Sequence, residues 1–316
     1  MFNIKTENEF NALALETFHF QYQNLKLYQD FVDYLKVKPK EITNFEQIPF
    51  LPIEMFKNHE LLIGDSFEKV FTSSGTTGVN TSKHYIKDLS IYETSFLKAF
   101  DLFYGDLSTF CVIGLLPSYL EREGSSLIYM VDSLIEKSGS RDSQFCLSLT
   151  DELLSIMKDP NQPCLVFGVT YALLDLAEEN IGPFHNTIFM ETGGMKGKRK
   201  EMIKSELHSV LKQGLQTDEI HSEYGMTELL SQAYSLEKGL FDCPPWMKIL
   251  IREVQDPLTL RKDSKTGGIN VIDLANKYSC SFIATQDLGR IHENGQFEIM
   301  GRFDHSDIRG CNLLLS

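Results

Sequence analysis

The chain has 316 residues, 42% of them hydrophobic and 23% charged, an ordinary globular composition that excludes disorder as the main state and is long enough for a large core. A net charge of −14 disfavours nucleic acid and anionic membranes as partners, so any polyanionic ligand needs a local patch of donors that overrides the global field. No apolar run reaches the length of a membrane span. None of the six cysteines stands in a C-x-x-C pair, which argues against zinc; Cys111, Cys164 and Cys280 lie inside apolar runs and read as buried. The amino terminus shows no apolar signal segment, and a reducing cytoplasm is the expected location.

Thr6-Glu7-Asn8-Glu9 is a capping box. Phe10, Leu13, Phe18, Tyr22, Leu25, Tyr28, Phe31 and Leu35 follow at near-helical spacing, predicting one or two amphipathic helices up to Pro39. The prolines of Ile48-Pro49-Phe50-Leu51-Pro52-Ile53 force an extended segment. Helices are predicted over 89–103, 125–137, 173–179 and 198–211. Between them lie short apolar runs suited to buried parallel strands: 110–116, 164–169 and 187–190. After about Leu236 the texture changes to short strands at 247–252, 268–272, 281–285 and 297–300, with a hairpin turn at Glu293-Asn294-Gly295-Gln296. The expected class is α/β: helix-flanked, mostly parallel sheets followed by a β-rich, barrel-like carboxy-terminal subdomain. The division falls at 1–235 and 236–316, within one compact unit.

The sharpest local feature is Thr72-Ser73-Ser74-Gly75-Thr76-Thr77-Gly78. Such a run of hydroxyls and glycines makes poor core and poor helix. It makes a good anion cradle, because the glycines let backbone N–H groups approach a phosphate and the hydroxyls add donors without bulk. Lys83 downstream offers a point charge. The G-K-[ST] ending of a Walker A loop is missing. Taken alone, the cluster also reads as a plain surface loop.

The string Ser73-Ser74-Gly75-Thr76-Thr77-Gly78 resembles the nucleotide-phosphate loop of the adenylate-forming superfamily of acyl-CoA synthetases, luciferases and peptide-synthetase adenylation domains. Companion strings follow in the family's order. Glu223-Tyr224-Gly225-Met226-Thr227-Glu228 resembles its second signature. That likeness implies that Tyr224, beside Gly225, stacks on adenine, that Thr227 bonds the phosphate and that Glu228 helps hold Mg2+. A carboxylate is the hard oxygen ligand that magnesium takes beside phosphates. Glu191-Thr192-Gly193-Gly194-Met195 looks like the glycine turn of the adenine pocket. Thr285-Gln286-Asp287 is similar to a T-G-D segment whose Asp grips the ribose, with Gln286 in place of Gly. Gly301-Arg302-Phe303-Asp304 and Ile308-Arg309-Gly310 resemble the hinge, with Arg302 reaching ribose or phosphate.

Within the superfamily the strings 49–57, Ser82-Lys83, 191–197, 223–228 and 231–234 are similar to the acyl-protein synthetases of bacterial bioluminescence. In that family a cysteine near the carboxy terminus accepts the acyl group, which here implies Cys311. Typical superfamily members continue past the hinge into a small mobile domain carrying a lysine; the chain ends at Ser316, so that domain is expected to be missing. The resemblance implies ATP and Mg2+ as cofactors and a small carboxylic acid as substrate. A thiol acceptor protein, an acyl carrier or CoA would complete the reaction. Lys83 and Arg302 are the expected cations for adenylation, and the acyl pocket is expected near Phe167, Gly168, Val169 and His221. Two alternatives remain: an acyl-CoA, aryl-CoA or carrier-protein ligase of the phenylacetate type, and a non-catalytic nucleotide-binding protein.

Overall fold

The computed structural model describes residues 1–73, 81–117, 124–193 and 202–303. Helix α1 (Glu7–Asn24) starts at the expected capping box: the Thr6 hydroxyl accepts the Glu9 N–H at 3.2 Å, and the Glu9 carboxylate accepts the Thr6 N–H. Its buried side includes Phe10, Ala14, Phe18 and Gln21. The Gln21 amide donates to the Asn276 and Lys277 carbonyls and to Ser281. Helix α2 (Lys26–Tyr34) stacks Tyr28 on Phe282 at 6.1 Å. The first two helices therefore cover the late strands of the chain.

The prolines at 49 and 52 leave a two-residue strand, β1 (Leu51–Pro52), which pairs in parallel with β13 (Phe282–Ile291). A short helix α3 (Met55–Asn58) leads to the separate hairpin β2 (Lys69–Thr72) and β3 (Lys83–Ile86). Helix α4 (Leu89–Tyr104) follows its Asp88 cap. The parallel core is β4 (Cys111–Leu115), β5 (Gln144–Cys146), β6 (Cys164–Val169), β7 (Thr187–Thr192) and β8 (Ile220–Tyr224), in the spatial order β5-β4-β6-β7-β8. Every residue of β4 and β6 is buried, which is why these strands read as unbroken apolar runs instead of alternating ones. Cys111, Cys164 and Cys280 are buried as expected. The connecting helices are α5 (Ser126–Ser138), α6 (Asp151–Lys158), α7 (Thr170–Glu178) and α8 (Lys204–Leu215).

Two helix starts differ from expectation. α7 begins at Thr170, immediately after β6, because the Thr170 side chain and its neighbours are buried against the sheet. α8 begins at Lys204, since Ile203 is extended at φ −69° and ψ 149°. It runs on to Leu215, and Gly214 lets it touch α7: a Cβ there would lie 2.4 Å from the Ala177 carbonyl oxygen.

Beyond β8 the sheet turns antiparallel. β9 (Ala233–Glu237) and β10 (Leu240–Asp242) continue it, and β9 crosses the position where the sequence texture changes. β10 then meets β14 (Phe297–Arg302) through the single pair Phe241 and Phe297. β14, β13, β12 (Gly267–Asp273) and β11 (Met247–Arg252) complete an antiparallel run. One path of paired strands thus links the parallel core to the β-rich end. No helix among the described residues is long and apolar enough to cross a membrane.

Strand β13 extends past the expected Thr285 to Ile291 and carries a bulge. Asn270 pairs with Ala284 and Gly268 with Leu288, so Ile269 alone opposes Thr285, Gln286 and Asp287. A bulge bends a strand and re-aims its side chains. The buried Arg252 guanidinium takes up the carbonyls so freed, donating to Ile269 O at 2.7 Å, to Thr285 O and to the Asn270 side chain. Gly268 leaves room for it, since a Cβ there would lie 2.5 Å from the guanidinium carbon. Arg252→Lys keeps a charge but cannot reach these acceptors together. It should lower unfolding free energy by about 2–4 kcal/mol in chemical denaturation; an unchanged value would contradict this role.

Candidate active site

A large cleft opens at the carboxyl ends of β6, β7 and β8, where open α/β sheets bind ligands. The described edge of the hydroxyl-rich turn, Thr72 and Ser73, lines it. So do Gly193, Tyr224, Gly225, Thr227, Glu228, Asp287 and Arg302. Ser74, Gly75, Thr76, Thr77, Gly78, Gly194 and Cys311 lie outside the described residues. The cleft's volume, 1580 Å³, exceeds the roughly 300–1,000 Å³ of a single small-molecule pocket and leaves room for two substrates.

One wall is built at the seam between the two strand systems. The Phe241 and Phe297 rings stack at 5.3 Å, and Tyr224 packs its edge against both. The Tyr224 hydroxyl donates to Asp287 Oδ2 at 2.9 Å, and Arg302 Nε donates to Asp287 Oδ1 at 2.8 Å. The bulge in β13 brings Asp287 to this position. Arg302 stands exposed on the rim while Asp287 is buried beneath it. The carboxylate raises the Arg302 pKa further, and burial together with Asp287 raises that of Tyr224.

Thr227 and Glu228 line the same cleft. His84 Nδ1 lies 2.8 Å from the Thr227 carbonyl, and burial lowers its pKa to about 4, so the ring is neutral and donates that proton. The next turn is fixed by buried Asp273, which accepts the N–H groups of Leu230 and Ser231 and the Ser231 hydroxyl. Glu228 is buried, which raises its carboxyl pKa, while Ser82, Arg302 and Lys57 oppose the rise. A carboxylate so desolvated is a fitting neighbour for a hard divalent cation whose other ligands are phosphate oxygens and water. Among the described residues no group of three or more His, Cys, Asp or Glu forms a metal cage.

Several expected residues stand elsewhere. Lys83 is exposed and does not line the cleft, whereas Thr81 and Ser82 just before strand β3 do; within β3, His84 is buried. Phe167, Gly168 and Val169 are buried inside β6, below the strand end; a Cβ on Gly168 would lie 2.5 Å from Leu173. His221 sits mid-strand, 3.2 Å from the Tyr104 hydroxyl, with its pKa lowered to about 4 by burial. The residues proposed for the acyl pocket are thus absent from the cleft lining.

The cleft also contains groups to which the sequence reading gave no role of their own, although all but Lys204 stand in the strings quoted above. Lys57, Lys204, Glu191, Glu223 and Gln232 all line it. Lys204 Nζ donates to Glu191 at 2.6 Å, and Thr170 and Ser222 also donate to that carboxylate. Burial pushes the Glu191 carboxyl up, but Lys204, His208 and Thr170 outweigh it and hold the group at about 2. Burial pushes Glu223 the other way, up to about 7, with the Thr192 hydroxyl opposing. The signal available for Lys204 was its spacing from His208, one helical turn apart within the expected helix 198–211.

Residues 3–94 match the family model described as "Acyl-protein synthetase, LuxE". No curated protein matches the chain. Among solved structures, an open conformation of 2-hydroxyisobutyryl-CoA ligase in complex with 2-HIB-AMP and CoA is 10% identical. It superposes with a TM-score of 0.70 over 95% of this chain and 70% of the other. ATP-bound MatB from Rhodopseudomonas palustris is 15% identical, with a TM-score of 0.54 over 74% of this chain and 47% of that one. The amide bond synthetase McbA from Marinactinospora thermotolerans is 16% identical, with a TM-score of 0.52 over 74% and 48%. The chain thus spans about half the length of the latter two. These likenesses show the fold, which is that of the adenylate-forming ligases.

The Glu191 ion pair has a pH signature. A carboxyl held at about 2 instead of the ordinary 4.5 stabilises the fold above 4.5, and that stabilisation is lost as pH falls toward 2. Lys204→Met should cost about 2–3 kcal/mol at neutral pH. The gap between variant and parent should close as the solution is acidified through that window. A gap that does not change with pH would contradict the assignment.

Proposed function

We propose that this protein activates a small carboxylic acid with ATP to an acyl-adenylate and then passes the acyl group to a thiol. One observation carries the reading: the described edge of the hydroxyl-rich turn lines the same cleft as Tyr224, Thr227, Glu228, Asp287 and Arg302. In this reading adenine lies against Tyr224 and the Gly193 turn, and Asp287 receives the ribose hydroxyls. Thr72, Ser73 and the turn that follows cradle the phosphates. Glu228 holds Mg2+, which supplies charge neutralisation at the phosphates when bound. Arg302, already oriented by Asp287, extends into the cleft as the cation nearest the ribose. Lys57 and Lys204 are better placed than Lys83 to add positive charge.

In the first step a carboxylate oxygen of the acid attacks the α-phosphorus. The bond to the β-phosphate bridge breaks, and pyrophosphate leaves. The protein's part is positioning and preorganised charge. In the second, a thiolate attacks the acyl carbon, its S–C bond forms, and AMP departs with the electron pair of the C–O bond. Cys311 is the proposed internal acceptor, since a thiolate takes acyl groups readily from mixed anhydrides; Arg309 beside it in sequence favours the thiolate. From such a thioester the acyl group could move to a partner protein. The matched family description over residues 3–94, an acyl-protein synthetase, supports acyl transfer to a protein.

A second reading, coenzyme A or a carrier thiol as the acceptor, is favoured by the likeness to a ligase whose structure is a complex with CoA. It predicts that added CoA accelerates AMP release. A nucleotide-binding protein without turnover would instead bind ATP calorimetrically and exchange no pyrophosphate with any acid.

Three measurements follow. With Mg-ATP and a panel of alkyl, aryl and amino acids, labelled pyrophosphate should exchange into ATP for at least one acid; none doing so would contradict activation. Asp287→Ala should weaken ATP binding by about tenfold or more, as expected for a lost charged hydrogen bond. Cys311→Ser should abolish covalent acyl labelling while exchange continues. Labelling that persists would exclude this thiol.

A further inference from the structure

We infer that the acid taken by this cleft carries a hydrogen-bond donor, a hydroxyl or an amino group, which the Glu223 carboxyl and the Gln232 side-chain carbonyl receive. The inference rests on the acid-activating reading above and names its substrate class.

Glu223 stands on β8, and Gln232 immediately precedes the antiparallel partner strand β9; both line the cleft. They converge at Gly225. A Cβ on that glycine would lie 2.3 Å from Glu223 Oε1 and 3.4 Å from Gln232 Cγ. The glycine therefore makes room for the two side chains to sit together. Gln232 is 3% exposed, and its Oε1 has no hydrogen-bond partner among the described residues. A desolvated carbonyl left unpaired is costly, and a bound donor removes that cost.

Glu223 is held on one side only. Its Oε2 accepts the Thr192 hydroxyl at 2.5 Å, which fixes the carboxyl's direction. Of the hydroxyls near it, Tyr92 donates to Ser126 O at 3.0 Å and Tyr104 pairs with His221, while the buried Tyr234 hydroxyl, whose pKa Glu223 helps to raise, has no hydrogen-bond partner among the described residues. Burial raises the Glu223 pKa to about 7; neighbouring Glu191 adds to the rise, and Thr192 and Lys204 oppose it. A plain hydrocarbon tail laid against this wall would desolvate the free Glu223 oxygen further and leave the already buried Gln232 carbonyl without a partner. A site built around unmet acceptors rejects ligands without the matching donor far more strongly than an apolar pocket distinguishes chain lengths. A hydroxyl donates to either oxygen; an ammonium also balances the Glu223 charge.

The test uses matched sets: straight-chain alkanoates with their ω-hydroxy and ω-amino counterparts, and benzoate with its hydroxy and amino derivatives. Pyrophosphate exchange and calorimetric binding are both read on the full chain. The donor-bearing member of at least one set should exceed its plain counterpart by about tenfold or more in kcat/KM and in affinity. Gln232→Met, close in volume and without acceptor, should shrink that ratio by raising the plain acid relative to the substituted one. Glu223→Gln keeps an acceptor but loses the charge. A tenfold loss confined to amino acids identifies an ammonium, and retention of the hydroxy preference identifies a hydroxyl. Plain alkanoates or benzoate bound and exchanged as well as every substituted partner would overturn the inference. A binding preference without exchange would support it while contradicting the activation reading.

Discussion

The site depends on the seam between two strand systems, closed by one residue pair, Phe241 and Phe297. Tyr224 ends the last parallel strand and is clamped edge-on by both rings. Its hydroxyl reaches across to Asp287 on β13, so a hydrogen bond ties the parallel core to the β-rich end at the wall of the cleft. Aromatic burial supplies most of the holding power, and the hydrogen bond supplies direction. Asp287 is available only because the β13 bulge aims it inward and Arg252 satisfies the carbonyls that the bulge frees. A packing seam, a backbone irregularity and a buried cation together position one carboxylate.

Charge is distributed to the same end. The molecule is strongly acidic, but in the cleft lining Lys57, Lys204, Lys238, Arg290 and Arg302 match the carboxyls of Glu191, Glu223, Glu228, Asp287 and Glu298 in number. Two carboxyls near the ends of neighbouring strands are driven apart by their surroundings. Glu191, paired to Lys204, is held at about 2, while Glu223, paired only to a hydroxyl, is pushed to about 7. Such divergence separates a structural counter-ion from a group that responds to what binds beside it. Glu191 orients Lys204; Glu223 faces the ligand.

Local pattern carried much of this into the sequence. The capping box at Thr6, the buried runs of β4, β6 and β7, and the Gly295 turn are local rules obeyed locally. The cleft residues of the glycine-rich and Glu223–Glu228 strings were legible because their chemistry clusters in sequence. Lys83 misled, since proximity along the chain says nothing about where a side chain ends: Thr81 and Ser82 line the cleft, while Lys83 is exposed outside it. The acyl pocket was sought inside β6, whereas space opens only past the strand's end. Lys204 and Gln232 were hidden because their partners, Glu191 and Gly225, lie in other segments. The β13 bulge was equally invisible, its cause being Arg252 from a strand two ladders away.

The central claim is that the hydroxyl-rich turn and the Tyr224–Asp287–Arg302 wall are two sides of one nucleotide site. A crystal structure with Mg2+ and an ATP analogue blocked at the α,β bridge tests this most directly. The account predicts the purine beside Tyr224, the ribose hydroxyls on Asp287 and the phosphates against the segment that begins at Thr72. Nucleotide density on another surface, or phosphates pointing away from that segment, would contradict it.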